Sequence, residues 1–272
     1  PSMPGAVIMT SLIIVSFHSK GESMVRKSRI MLLIAFVAVV ANGCAIKPRE
    51  PIATTLIKES RYEAAPGTRI GVINTVEEVF THFHIGTTIF NNFQKNYKVT
   101  WNLHTYIDSE VVGKLIGLGY SVKKIETNQE IDNEMQRLVK RGMIHFSLNP
   151  DLLPVLQDLK EQNSIDVLIV FQTFGEKLGD AINKVSGYGF YTESFLGLGK
   201  AYPFAHISAG VINLKEISLI RYYETQTSSS LGELALPSDI KNISDEEINR
   251  VEPIIKGLVN NLIGVVVNVF AK

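Results

Sequence analysis

His82 and His84, two residues apart, have the most chemically suggestive spacing in the chain. On a strand, positions i and i+2 fall on one face, so two imidazoles would be offered to a common ligand. With His104 or Glu78 as a third donor they would form a zinc or copper site. Without a third ligand at fixed spacing they are better read as hydrogen-bonded or solvent-facing histidines on a hairpin. His206 and Ser208 repeat the spacing and suggest a hydrolase serine, but the chain has no Gly-x-Ser-x-Gly turn and no identifiable third partner. Gly197-Leu-Gly-Lys200 resembles part of a phosphate loop; it lacks the leading glycine, and Ala201 stands where Ser or Thr is needed, so it reads as a plain loop. Gly187-Tyr-Gly and Gly210 lack a strand-to-helix context. Carboxylates are scattered, and no acid–base pair can be named. An enzyme is not expected. If there were one, it would be a periplasmic metal-binding protein or hydrolase using His82 and His84.

Tyr188, Phe190, Tyr191, Tyr202, Phe204, Tyr222 and Tyr223 concentrate aromatic side chains in one region. Most such residues pack in cores. Aromatics are also enriched at interface centres, so Tyr188, Tyr191, Tyr222 and Tyr223 are expected to offer a partner surface, with Tyr222 and Tyr223 on an exposed face.

The chain has 27 basic and 27 acidic residues. A nucleic-acid partner would call for a basic excess, so that class is disfavoured. A single cysteine, Cys44, excludes a disulfide within one chain, and the core must hold by packing alone.

The surroundings of Cys44 set the expected location. Arg26, Lys27 and Arg29 precede an apolar run, Ile30 to Ala41, which is too short for a bilayer core needing ~20 residues. A small-residue site follows. That is the pattern of a signal peptide rather than of a transmembrane helix. The ending Ala41-Asn42-Gly43-Cys44 resembles the bacterial lipobox, without its commoner Leu. The resemblance implies cleavage before Cys44, diacylglycerol on its sulfur and an acyl chain such as palmitate on its new amine. Ala45, not being Asp, then implies the outer membrane, with the domain facing the periplasm. Residues 1–23 read as an upstream extension, 24–43 as the lipoprotein signal peptide, and 44–68 as a lipidated tether broken by Pro48, Pro51 and Pro66. Beyond that covalent lipid, no cofactor is expected.

Residues 69–272 read as a single α/β domain. Arg69 to Asn74 is a buried first strand. Val79 to Gly86 alternates and pairs with β character continuing through Thr87–Phe93 and Tyr97–Leu103. Asp108 and Ser109 cap a helix over Glu110–Leu118, which Gly119 ends. Tyr120–Ile125 is a strand, Ile131–Val139 a short helix, and Asn149-Pro150-Asp151 opens another. Ile165–Phe171 suits a central strand covered on both faces. Strands follow at Gly187–Thr192, Phe204–Leu214 and Ile217–Glu224, then a turn over Thr225–Gly232. Ser244-Asp-Glu-Glu247 is a capping box whose helix Pro253 should kink or restart. This order predicts an α/β sandwich with a mixed β-sheet and flanking helices.

The strand Arg69-Ile-Gly-Val-Ile, the segment Lys114-Leu-Ile-Gly-Leu-Gly-Tyr120 and the strand Asp166-Val-Leu-Ile-Val resemble the family that includes the amino-terminal domain of TolB and the curli-secretion lipoprotein CsgG. The family's Asp-x-x-Thr-Gly turn is missing, with Glu224 to Gly232 in its place. The resemblance spans about residues 69–264. It implies a non-enzymatic envelope component for assembly, secretion or regulation. Its partners would be the membrane, through the anchor, and envelope proteins, with homo-oligomerisation as one mode of contact.

Overall fold

The computed structural model describes residues 64–65, 67–142, 146–176, 185–195, 198–225, 234 and 236–271. All lie within the unit Pro48–Lys272. Residues 1–43, Cys44, most of the tether and residues 226–233 fall outside the described residues.

Three parallel strands form one part of the sheet. β1 (Arg69–Thr75) runs between an edge strand later in the chain (Ser121–Lys124) and a buried one (Val167–Thr173), with Arg69 opposite Ser121 and Ile70 opposite Val167. Parallel neighbours need long crossovers, and helices supply them here. β2 (Phe80–Ile85) and β3 (Phe93–Tyr97) form an antiparallel pair. The segment between them turns through a short 3-10 helix, Ile89–Asn91, rather than continuing as a strand.

Helix α1 (Leu103–Gly117) starts well before the Asp108 cap expected from the sequence. Asn102 is the true N-cap, its side chain accepting from the Thr105 amide. Asp108 is instead an interior, buried position. Gly119, at φ +87°, ends the helix as expected. β4 (Ser121–Lys124) follows, then α2 (Gln129–Met135). The small hairpin of β5 (Val139–Arg141) and β6 (Phe146–Leu148) had no sequence expectation. Asn149 opens a 3-10 turn that leads into α3 (Leu153–Asn163).

β7 (Val167–Thr173) is buried at all seven positions. After β8 (Gly175–Glu176) come β9 (Val185–Phe195), β10 (Leu198–Asn213) and β11 (Ser218–Glu224). Gly199 and Lys200, read as loop, belong to β10 and pair with Ser194 and Glu193. β10 pairs with β9 through His206 and with β7 and β11 from there on. The sheet order is β3-β2-β9-β10-β7-β1-β4, with β11 beside β10 and β8 beside β9. This is a mixed sheet in an α/β fold.

The last helix, α4 (Asp245–Asn268), carries the expected capping box: Ser244 Oγ accepts from the Glu247 amide, and the Glu247 carboxylate accepts from the Ser244 amide. It runs unbroken through Pro253. The proline sits on the exposed face, while Ile248, Val251, Ile255, Leu258, Val259, Leu262, Ile263, Val266 and Val267 are buried. Burial of each is worth roughly 1.5–3 kcal/mol, and together they outweigh the one hydrogen bond the proline removes. Among the described residues α4 alone is long and apolar enough to cross a membrane, by length and composition only; its apolar face is occupied by the core. α1 and α4 cover one face of the sheet, and α2, α3 and the β5–β6 hairpin cover the other.

Candidate functional site

His82 and His84 lie on one face of β2, as their spacing requires, and both are buried. β2 runs parallel to β9 with His84 opposite Thr192. The Thr192 hydroxyl lies 2.8 Å from His82 Nε2 and 2.7 Å from His84 Nδ1. A hydroxyl has one proton, so it donates to one ring and accepts from the other. His82 Nδ1 is buried with no partner among the described residues. A bare lone pair there costs less than an unmade N–H donor. The assignment that follows is His82 Nε2–H to Thr192 Oγ, Thr192 O–H to His84 Nδ1, and His84 Nε2–H to Ser194 Oγ at 3.3 Å. Phe93 packs against both rings, with centroids at 5.2 and 5.0 Å.

Burial, then the neighbouring His84 and Lys95, pushes the His82 pKa down to about 4. Burial also lowers that of His84. The pair is therefore neutral at neutral pH and forms a one-way hydrogen-bond chain. Neither His104 nor Glu78 joins it. No group of three His, Cys, Asp or Glu among the described residues is arranged to hold a metal ion. Thr192 and Ser194 escaped sequence reasoning because only the β2–β9 register, which spans about a hundred residues of chain, brings them here.

His206 is also buried, its Nδ1 donating to the Val185 carbonyl at 2.8 Å. Burial lowers its pKa to about 4, with the Val185 bond opposing. The Ser208 hydroxyl is buried beside Tyr222, and among the described residues no imidazole is placed to take its proton.

The four tyrosines do not form an exposed surface. Tyr188 is 0% exposed, Tyr191 3%, Tyr222 3% and Tyr223 7%. Tyr188 packs with Phe80 and Trp101, and Tyr222 against Phe146. Strand alternation did not place Tyr222 and Tyr223 outside because the sheet is covered on both faces, so adjacent residues of β11 are both buried. Among the described residues the exposed large apolar side chains are Val79, Phe90, Ile116, Leu118 and Leu153, with Phe90 at 90% the most exposed of them.

His104 and Glu78 belong to a different feature, a cavity of about 450 Å³ at the carboxyl end of β1. Asn74, Thr75, Val76, Glu77, Glu78, His104 and residues of α2 line it. Ligands of α/β sheets commonly bind outside the carboxyl ends of parallel strands. Its wall is held by a polar network. Asn74 Nδ2 donates to the His104 carbonyl at 3.1 Å and to Asp108 Oδ1 at 2.9 Å. His104 Nε2 donates to the Asn74 carbonyl at 2.8 Å. Lys124 Nζ lies 2.8 Å from Asp108 Oδ2. This pairing explains the buried carboxylate, and the Asp108 hydrogen bond raises the Lys124 pKa.

No protein-family model and no curated protein matches the chain. Solved structures share a loose likeness. The dodecameric PelC of Paraburkholderia phytofirmans matches at 8% identity over 75% of this chain and 90% of its own, with a TM-score of 0.31. The hypothetical protein CT253 of Chlamydia trachomatis matches at 11% identity over 76% and 99%, with a TM-score of 0.35. Lipoprotein GNA1162 of Neisseria meningitidis matches at 9% identity over 71% and 99%, with a TM-score of 0.27. At that level of fit the likeness carries no functional argument.

Proposed function

We propose that this chain is a lipid-anchored bacterial envelope protein, held at the periplasmic side of the outer membrane. In this reading it serves assembly, secretion or regulation through protein–protein contacts, without catalysis, on a TolB amino-terminal or CsgG-like domain. The observation that carries the proposal is the Arg26–Cys44 pattern: a basic segment, a short apolar run and small residues ending at the chain's single cysteine. The segments quoted for the CsgG-like resemblance fall on β1, on the end of α1 and on β7, which supports the fold part of the proposal. The contact is assigned to β3, the edge strand whose residues 94–96 are exposed, and to Phe90 beside it. A partner strand can add to such an edge while an aromatic anchor fills a pocket.

The test is made in intact bacteria. Radiolabelled palmitate should enter the wild type and be absent from Cys44→Ser. Crosslinking should capture a second copy or an envelope protein, and Phe90→Asp should reduce that capture at least several-fold without altering the melting temperature. Label that persists in Cys44→Ser would overturn the anchor. A monomer without crosslinks, together with a turnover lost in His82→Ala, would overturn the non-enzymatic reading.

A further inference from the structure

The strands define the end at which the chain enters its fold. Arg69, first in β1, stands opposite Ser121, first in β4, and its carbonyl accepts from the Asp166 amide just before β7. Asn213, last in β10, pairs with Val167, so the β10–β11 turn lies at the same end. α1 starts beside the other end of β1, where His104 bonds Asn74, and runs back to finish here. α4 finishes here too, since the Tyr120 hydroxyl donates to the Phe270 carbonyl at 3.0 Å.

This entry end exposes an apolar pair. Ile116, in the last turn of α1, is 56% exposed, and Leu118, its C-cap, 45%. Gly117 and Gly119 beside them are exposed, and a Cβ on either would meet nothing within 4 Å. The two aliphatic side chains therefore project from a bare rim. The charges nearby are mixed: Arg69 and Lys215 share Asp166, and Glu216 is exposed in the same turn as Lys215. Phe90 lies far off. It follows Ile85, which is level with Glu193 of β9 and so with Lys200 of β10. Roughly 40 Å of strand separates Lys200 from Asn213. The stretch read as a tether places twenty residues, 44–63, ahead of Ala64, and a coil of that length spans roughly 25 Å. An anchor at Cys44 thus holds the entry end, and not the Phe90 end, next to the lipid.

We propose that the entry end is seated on the bilayer, with Ile116 and Leu118 dipped among the phospholipid headgroups. The β3 edge and Phe90 then face away from the membrane, toward partners. The inference rests on the lipid anchor at Cys44 and goes beyond it by fixing which way the domain faces. Two half-exposed aliphatic side chains are too little to hold a free protein on a membrane. A short tether raises the local concentration to the millimolar range, where so small a contact is enough to set orientation. Because the charges are mixed, the contact needs no anionic lipid and is little weakened by salt.

The test uses the lipidated chain, purified in detergent and reconstituted into vesicles of phosphatidylethanolamine and phosphatidylcholine. The lipid occupies the Cys44 sulfur, so a cysteine introduced elsewhere is the one free thiol and takes a fluorophore. In Ile116→Cys and Leu118→Cys, a shallow doxyl lipid should quench the label roughly threefold more strongly than in Leu153→Cys or Phe90→Cys, as befits side chains about 5–10 Å deep, at low and high salt alike. Adding Ile116→Asp to Leu118→Cys should abolish the quenching without changing the melting temperature. Equal quenching at all four positions, in protein that stays with the vesicles, would overturn the orientation and leave the anchor standing. A label shielded from water at 116 and 118 but untouched by the lipid quencher, in a chain that crosslinks as a dimer, would put a second copy on this face and overturn the proposal too. A parent chain whose Cys44 itself takes the fluorophore has no anchor, and the inference falls with it.

Discussion

At His82 and His206 the protein has buried two neutral imidazoles, and the cost appears in acid. In the unfolded chain each titrates near 6.5, and in the fold near 4. Between those values the unfolded state binds more protons, so stability falls as pH drops from about 6.5 to about 4 and levels off below. The ceiling is roughly 3 kcal/mol for each histidine. Urea midpoints measured at pH 7, 5 and 4 should show this decline, and His206→Phe should flatten the slope by about half. Glu247, held low by its bonds to Ser244 and Ser238, contributes in the same direction only below its ordinary 4.5. Thr192 gives a second prediction. Thr192→Val removes the hydroxyl shared by both rings and leaves buried nitrogens unpaired, costing about 2 kcal/mol or more. Thr192→Ser keeps the oxygen and should stay within about 1 kcal/mol of wild type, both measured by urea denaturation.

Among the elements, two glycines make opposite predictions. A Cβ on Gly189 of β9 would lie 1.8 Å from the Thr81 carbonyl oxygen of β2. Gly189→Ala must therefore part the β2–β9 ladder and is expected to abolish cooperative thermal melting. Gly113 lies on the exposed side of α1 with nothing within 4 Å of such a Cβ. Gly113→Ala should stabilise by up to about 1 kcal/mol through helix propensity alone and raise the melting temperature. The same elements show what sequence reading recovers. β1, β7 and the Ser244 capping box were legible because their signals are local: a β-branched run, an unbroken apolar run, a Ser three residues before a Glu. The start of α1 was not. Trp101, Leu103 and Tyr106 look like strand residues until α4 and the sheet bury one side of them, and Asn102 shows as a cap only through its bond to Thr105. The β5–β6 hairpin was missed because its strands are three residues each. The histidine face was legible from spacing; Thr192, which orients it, was not, because parallel register leaves no mark on local sequence.

For the molecule as a whole, helices of the same chain cover both faces of the sheet around β1 and β7. A fragment beginning at Ala64 is expected to melt cooperatively by circular dichroism. Added zinc should leave its midpoint within a degree, since a ligand that binds only the folded state would raise it. A molten fragment, or a rise of several degrees with zinc, would contradict this. The position of β1 has a consequence for how the protein is made. Among the described strands it is the first to be synthesised, yet it lies inside the sheet, and its neighbours enter only with Ser121 and Val167. Ile70, Val72 and Ile73 thus leave the ribosome with no hairpin partner to shelter them. Non-local parallel pairing of this kind is slow. That segment remains a thread while the rest is translated, and until its partners emerge it is an open apolar strand that has to be kept from aggregating.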